Sequence, residues 1–315
     1  MLGLRVLGAV FGAFSPAIVR AGLMVGPYIS SMPSPDDAVG RLVVCPTPIG
    51  NLGDVTLRVL EALREADAIA CEDTRRTRVL LDRYEIEGKL VSYHEHNERE
   101  RAGELVTRIE GGAAVALVSD AGMPLVSDPG YRLVQACIAA GLCVEVLPGA
   151  SSVLVAIVAS GLPSERWRFV GFLPRKRAEL ERVLVGAFET LVAFESPQRL
   201  AATLGVLAEH DPVRPVAVCR ELTKLHEEVR RGAAGELATH YSEHPPRGEI
   251  VLVVGGSARM SADREQALNS LRALVEAGAR PRPAAGVIAK LTGVSANELY
   301  RGLTDAPPAD APRGT

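Results

Sequence analysis

The sequence is poor in aromatic residues, which make up 4% of its 315 positions. Its core must therefore rest on aliphatic side chains, and 47% of all residues are hydrophobic. Cores of this kind are typical of parallel strands buried between helices rather than of aromatic-rich β-sandwiches. At roughly 100–200 residues per domain, the length predicts about two domains.

Cysteine is also scarce, since the chain has five, an odd number, and no CxxC motif. This pattern favours neither a disulfide framework nor a zinc site, and buried reduced thiols in a cytoplasmic protein are expected. A strong excess of charge is missing too, because the formal net charge is −3. That balance is not typical of a dedicated, strongly basic nucleic-acid binder, although it leaves room for a local basic surface.

The start and the end of the chain lack the patterns of a folded domain. The apolar run at residues 6–14 weakly resembles a signal peptide but is too short to span a membrane. We expect residues 1–40 to be a disordered leader or the product of a mis-assigned start codon. The Pro- and Ala-rich residues 304–315 are expected to be disordered.

Between these ends, short apolar runs alternate with segments of helical spacing. Such alternation at residues 41–160 predicts an N-terminal α/β domain with a mainly parallel, doubly wound sheet. A second α/β pattern predicts a C-terminal domain at 161–256, and a helical tail follows at 257–303. Two short helices around Gly293 give the tail a pattern like a helix-turn-helix, which fits either a packing cap or a nucleic-acid reader.

Three unusual loops follow strands of the first domain, at residues 46–54, 119–130 and 148–152. Loops at the carboxyl ends of parallel strands form the ligand crevice of such sheets. The loop 119–130, SDAGMPLVSDPG, has two Asp, two Gly and two Pro. Its glycines allow close approach to a ligand, its prolines fix its shape in advance, and Asp120 or Asp128 could accept hydrogen bonds. The loop 46–54 is neither a GxGxxG nor a Walker motif, and a plain turn remains an alternative there.

Charged motifs follow two other strands. Residues 72–76, EDTRR, fit a helix start with acidic residues at its positive end, or a site where arginine binds phosphate and a carboxylate binds a hydroxyl. The spacing of His94 and His96 is compatible with metal ligands, but no second cluster supports them. We therefore expect no metal and interpret this segment as a polar loop that lines the cleft.

Taken together, these motifs resemble the signature of the RsmI family, which methylates the ribose of a cytidine in 16S ribosomal RNA. The resemblance covers residues 41–303. Shorter segments also match the family's motifs in the same order, at residues 96–98, 194–197, 220–224 and 247–249. It implies a two-domain, tetrapyrrole-methylase-like α/β fold with a small helical C-terminal segment. It also implies S-adenosyl-L-methionine in the interdomain cleft, a cytoplasmic homodimer, and 16S ribosomal RNA of the small subunit as the partner.

The resemblance also implies site residues, carried over motif by motif. The expected cofactor contacts are Pro48, Ser119, Asp120, Ala121, Pro124, Ser151, Ser152, Phe194, Glu195 and Gly232. The expected RNA contacts are Arg75, Arg76, Arg199, Arg220, Lys224 and Arg247.

A ribose hydroxyl must lose its proton during methylation, and a nearby carboxylate could accept it. The candidates are Glu72, Asp73, Glu195 and Glu221, and the sequence does not choose among them. Ion pairs with Arg199 and Lys224 are the alternative role of the last two. Two other functions stay open: a methylase of a tetrapyrrole or protein side chain on the same fold, and a non-catalytic RNA-binding module of the small subunit.

Overall fold

The computed structural model describes residues 40–304, except for the side chains of residues 258–263. The expected leader and the expected disordered end lie outside the described residues, apart from Gly40 and Thr304 at their borders. Among the described helices, none combines the length and the apolar character that crossing a membrane requires.

The first half of the described chain forms a five-stranded parallel sheet. Its strands are β1 (Arg41–Cys45), β2 (Ala68–Cys71), β3 (Leu90–Ser92), β4 (Ala114–Val118) and β5 (Cys143–Val146), in the order β3-β2-β4-β1-β5. The helices between them are α1 (Leu57–Glu65), α2 (Thr74–Arg83), α3 (Glu98–Glu110) and α4 (Tyr131–Ala139). The central strands are almost continuously buried, as expected for a sheet that is covered on both faces.

The second half forms another five-stranded sheet with mixed pairing. Its strands are β6 (Trp167–Phe172), β7 (Thr190–Glu195), β8 (Pro215–Arg220), β9 (Glu228–Ala233) and β10 (Ile250–Val254), in the order β6-β7-β10-β8-β9. The pair β6–β7 is parallel, whereas β10 runs antiparallel to both neighbours and β8–β9 is an antiparallel pair. The helices α6 (Arg177–Val185), α7 (Leu200–His210) and α8 (Ala234–Glu243) accompany this sheet.

The helix α5 (Ser152–Ser160) follows β5 of the first sheet but packs on the second. Its buried residues Val153, Ala156 and Ile157 share a core cluster with side chains of β7, β8 and β10. The Ser151 side chain caps the helix by accepting a hydrogen bond from the Leu154 N–H, and Gly161 ends it in a left-handed conformation. The helix therefore links the two sheets.

The last three helices are α9 (Ala258–Glu276), α10 (Pro281–Thr292) and α11 (Ala296–Thr304). They have a small apolar core of their own, which includes Leu271, Ile288 and Leu299. The turn between α10 and α11 contains Gly293 at a φ of 75°, a conformation that glycine adopts without strain. The helical tail expected from the sequence is confirmed as a three-helix unit.

All five cysteines are free, and four of them are buried. Burial raises the pKa of the Cys45, Cys137 and Cys219 thiols well above the usual range. These thiols are therefore protonated at neutral pH and behave as small apolar side chains.

Candidate functional site

A cavity of about 300 Å³ lies between the two sheets. From the first half it is lined by residues that follow β1, β2, β4 and β5, and from the second half by residues at or beside the ends of β6, β7, β8 and β10. The lining residues are Ile49, Glu72, Arg76, Asp120, Ala121, Gly122, Met123, Val126, Ser127, Asp128, Ser151, Ser152, Val153, Phe172, Phe194, Glu195, Cys219, Leu222, Glu249, Ile250 and Val251. The carboxyl ends of the parallel strands thus form the crevice that the sequence predicts.

Two of the predicted loops are joined into one rigid unit beside this cavity. The backbones of Thr47 and Gly122 exchange two hydrogen bonds of 2.9 Å. The Thr47 hydroxyl also donates to the Ser119 carbonyl at 2.9 Å, and the Ser119 hydroxyl donates to the Gly122 carbonyl at 3.0 Å. Leu125 and Ser127 have positive φ values of 71° and 67°, which is strained backbone for residues with side chains. Such strain persists where surrounding contacts hold it, and it is common in ligand-binding loops.

One end of the cavity is acidic. Glu72, Asp120 and Asp128 line it together with a single guanidinium, that of Arg76. Asp120 is held in place, because its Oδ1 accepts the Asp73 N–H at 3.0 Å and its Oδ2 lies 3.5 Å from Arg76 Nη1. The acidic end therefore carries more negative charge than Arg76 can balance.

Burial, together with this excess charge, raises the pKa of two carboxyls. Burial raises the pKa of Glu72, and the charge of Asp120 adds to the effect, while Arg76 and His94 oppose it. Burial also raises the pKa of Asp128 to about 6, and Glu72 and Asp120 add to the shift. Both groups are thus stronger bases than an ordinary carboxylate.

Another part of the cavity wall is apolar. Ile49, Val126, Val153 and Val251 line it together with the rings of two phenylalanines, Phe172 and Phe194. The centroids of these two rings lie 5.4 Å apart. A wall of this kind suits a flat, partly apolar ligand such as a nucleobase.

The structure places six of the ten expected cofactor residues in the cavity lining, namely Asp120, Ala121, Ser151, Ser152, Phe194 and Glu195. Pro48, Ser119 and Pro124 belong to the same loops but do not line the cavity. Gly232 lies on the edge strand β9 opposite Val216 and does not line it either. The ten contacts remain predictions, since no ligand defines them.

The four candidate proton acceptors differ in what their carboxylates already bind. Asp73 caps α2 and accepts hydrogen bonds from the backbone and side chain of Arg75, which lower its pKa to about 2. The carboxylate of Glu221 accepts hydrogen bonds from Lys224 Nζ and the Glu249 N–H, both at 2.9 Å, which lower its pKa. Neither of these two residues lines the cavity.

Glu195 lines the cavity, but its side chain is completely buried. It accepts hydrogen bonds from the Thr203 hydroxyl at 2.6 Å and from the Ser196 N–H at 2.7 Å, and it lies 3.3 Å from Arg199. For Glu72, by contrast, no hydrogen-bond partner occurs within the described part of the chain, and this carboxylate faces the cavity. The geometry therefore favours Glu72 among the four candidates.

The six expected RNA-binding cations are also placed differently. Arg76 lines the cavity and is exposed, and Arg247 is exposed with no side-chain ion pair among the described residues. Arg75 is exposed but is paired with Asp73 at 2.8 Å. The other three cations bind residues of the second half. Arg199 donates hydrogen bonds to the carbonyls of Leu173 and Pro174. Arg220 pairs with Glu228, and Lys224 pairs with both Glu221 and Glu249.

Comparisons with known proteins agree with this architecture. A family model described as tetrapyrrole (corrin/porphyrin) methylases matches residues 41–238. Two relatives are named ribosomal RNA small subunit methyltransferase I. That of Mesorhizobium japonicum is 48% identical and aligns over 84% of this chain and 91% of its own length. That of Micromonospora olivasterospora is 43% identical and aligns over 87% of this chain and 90% of its own.

Solved structures share the fold at lower identity. Uroporphyrin-III C-methyltransferase from Thermus thermophilus, complexed with S-adenosylhomocysteine, is 22% identical with a TM-score of 0.50, and the match covers 69% of this chain and 97% of that one. A diphthine synthase is 16% identical with a TM-score of 0.55, over 69% and 90% of the two chains. These likenesses establish the fold. Together with the family model and the relatives above 40% identity, they lead to one assignment: the chain belongs to the ribosomal RNA small subunit methyltransferase I family, within the tetrapyrrole methylases.

Proposed function

We propose that this protein transfers a methyl group from S-adenosyl-L-methionine to the ribose 2′-hydroxyl of a cytidine in 16S ribosomal RNA. The observation that carries the proposal is the cavity between the two sheets, which combines an apolar wall with an acidic end in a chain of this family. Membership of the family supports the reaction, and the residues around the cavity support the cofactor.

The lining of the cavity fits the chemical groups of this cofactor. Phe194 and Val251 present an apolar surface that suits the adenine, and the small residues Ala121, Gly122 and Ser151 leave room for close contact with the backbone. The acidic end suits the two positive charges of the cofactor, its sulfonium and its ammonium group. When bound, S-adenosyl-L-methionine supplies a methyl group attached to a positively charged sulfur, and the neutral thioether is the good leaving group.

The protein's own contribution is to align the acceptor and to take its proton. The rigid unit formed by the loops 46–54 and 119–130 fixes the position of Asp120, and alignment of this kind can supply much of the rate enhancement. Glu72 accepts the proton of the 2′-hydroxyl, because its carboxylate faces the cavity and burial raises its pKa. Arg76 and Arg247 provide exposed positive charge for the RNA phosphates.

Of the six expected cations, only Arg247 has a side chain with no ion pair or hydrogen bond among the described residues. The proposal therefore includes recognition of RNA that is already folded within the small ribosomal subunit, where shape adds to phosphate contact. The cytoplasm, where ribosomal subunits are found, is the corresponding location.

A homodimer is part of the same proposal, and the outer face of α5 supports it. This helix is apolar on all sides, which is typical of helices that are buried on all sides. Leu154, Val155 and Val158 nevertheless remain exposed, Val158 by 81%. Val158→Asp should shift a dimer toward monomer in sedimentation analysis. The matched control is Val213→Asp, at an exposed apolar position (77%) before β8. An unchanged mass for Val158→Asp would contradict this interface.

The reaction is tested by transfer of tritiated methyl groups from labelled S-adenosyl-L-methionine. The acceptors are small subunits from a strain that lacks the enzyme, naked 16S ribosomal RNA and a porphyrinoid. We expect label in the subunits, and mapping of 2′-O-methyl groups should place it on one cytidine. Label in the porphyrinoid would favour a tetrapyrrole methylase. Calorimetry that detects no binding of S-adenosyl-L-methionine would leave a non-catalytic RNA-binding module.

The role of Glu72 is tested by Glu72→Gln in the same assay. Loss of a general base typically lowers the rate about 10²- to 10⁴-fold. We expect such a fall in kcat with little change in the Kd for S-adenosyl-L-methionine. Glu221→Gln is the comparison variant, since that carboxylate does not line the cavity. If Glu72→Gln retained its full kcat, the assignment of Glu72 would be wrong.

A further inference from the structure

The strand β6 carries an extra residue just before its end. Phe169 pairs with Val192 of β7, and Phe172 pairs with Phe194, so three steps along β6 match two along β7. Gly171 lies inside this bulge with a φ of 68°, a value that favours glycine. Because strand side chains alternate between the faces of a sheet, one added residue moves every later side chain to the other face. The bulge thus places Phe172 on the same face as Phe169, toward the cavity.

The ring of Phe172 is supported on one side and open on the other. It packs at 5.4 Å from the ring of Phe194, which itself packs at 5.0 Å from Phe169. Phe172 nevertheless remains 65% exposed while it lines the cavity. The sequence has only six phenylalanines, and the bulge places one of them, Phe172, at the edge of the cavity. Bulges beside active sites commonly re-aim a side chain in this way.

Two reactants must meet at this site, and the cavity has room for one. Its volume of about 300 Å³ is at the lower end of the range for small-molecule pockets. If the methyl donor occupies the cavity, the nucleotide must approach from the rim, where Phe172 and the exposed Arg76 both lie. Aromatic rings commonly stack on unpaired bases in RNA recognition, and an arginine beside them can contact the phosphate.

We propose that Phe172 stacks against the base of the nucleotide whose ribose is methylated and so holds that nucleotide at the mouth of the cavity. This inference rests on the proposed function. It assigns Phe172 to the RNA acceptor and Phe194, deeper in the wall, to the methyl donor.

The test compares Phe172→Ala, Phe172→Leu and Phe172→Trp with the wild type. The KM for methyl-free small subunits comes from tritiated-methyl transfer, and the Kd for S-adenosyl-L-methionine from calorimetry. Stacking on one base corresponds to about fivefold to 150-fold in affinity. We expect Phe172→Ala and Phe172→Leu to raise the KM at least fivefold and to leave the Kd within twofold, whereas Phe172→Trp restores the KM. Val213→Ala, which changes an exposed apolar residue away from the cavity, should match the wild type.

Phe172→Leu keeps an apolar side chain of similar reach, so it separates the loss of the aromatic ring from a loss of folding. A normal KM in the Leu variant would overturn the inference. So would a weakened Kd for S-adenosyl-L-methionine with an unchanged KM, because Phe172 would then stack on the donor's adenine. Absence of methyl transfer by the wild-type protein would overturn the proposed function and this inference with it.

Discussion

Asp128 lies at the acidic end of the cavity, and its replacement by asparagine should make the folded protein more stable at pH 7. The ionised carboxylate is partly buried and faces the charges of Glu72 and Asp120, so burial and repulsion raise its pKa from 3.8 to about 6. Asparagine has nearly the same shape but no charge. The variant therefore removes an unfavourable interaction and leaves the packing of the loop 119–130 in place.

The size of the effect follows from the shift in pKa. Each unit corresponds to about 1.4 kcal/mol, so a rise of roughly two units sets an upper limit of about 3 kcal/mol. Solvent screening of a carboxyl that is still partly exposed reduces this to about 1–2 kcal/mol. Because the pKa is higher in the folded state, that state binds more protons between about pH 4 and pH 6. Its stability therefore falls as the pH rises through this window, and the penalty is complete above pH 6.

The assay is denaturant unfolding of the wild type and Asp128→Asn at several pH values from 4 to 8. We expect the two proteins to be about equally stable near pH 4 and the variant to be more stable above pH 6. Asp73→Asn is a control of opposite sign. Hydrogen bonds from Arg75 lower the pKa of Asp73 to about 2, so loss of this carboxylate should destabilise the protein at neutral pH. A destabilised Asp128→Asn variant at pH 7, or a difference that does not depend on pH, would refute the reasoning.

Two further substitutions test contacts that hold the site together. Gly50→Ala would bring a Cβ into a clash with Lys224 Cγ and to 2.8 Å from Thr223 Oγ1. We expect the free energy of unfolding to fall by about 1–3 kcal/mol in denaturant unfolding. Binding of S-adenosyl-L-methionine, measured by calorimetry, should also weaken. Arg214→Met removes a buried guanidinium that donates to the carbonyls of Ala187 and Gly255, and a loss of about 3 kcal/mol is expected in the same unfolding assay. Full stability in either variant would contradict the role of its contact.

The first sheet could be predicted from the sequence because its strands are short apolar runs, each followed by a helix. The direction of pairing in the second sheet could not, because β10 pairs with two strands that are distant in sequence. The start of α1 at Leu57 could not be predicted from apolar spacing alone. Thr56 caps it by accepting the Val59 N–H, while Leu52–Asp54 forms a separate 3-10 turn.

The site is harder to predict from the sequence than the fold, because similar local sequences have different roles there. Glu72 precedes Arg76 by four residues, and Glu195 precedes Arg199 by four. Arg199 pairs with its own Glu195, whereas Arg76 pairs with Asp120 from another strand end. Which carboxylate stays free is therefore decided by tertiary contacts that spacing does not reveal.

Phe172 was absent from the expected site for a related reason. The face on which it lies depends on the bulge in β6, and a bulge changes the register without a clear sequence pattern. A glycine inside a strand was the available signal, since glycine in a strand often marks a bulge. Here that glycine is Gly171.

The position of α5 has a consequence for how the chain folds. Its buried side belongs to the core of the second sheet, although the helix follows directly after the first sheet in sequence. The second sheet therefore cannot complete its core without a helix that follows directly from the first half, which couples the two halves. A chain emerging from the ribosome would thus hold α5 without its partner until β10 has been synthesised, which makes completion of this core a late step of folding.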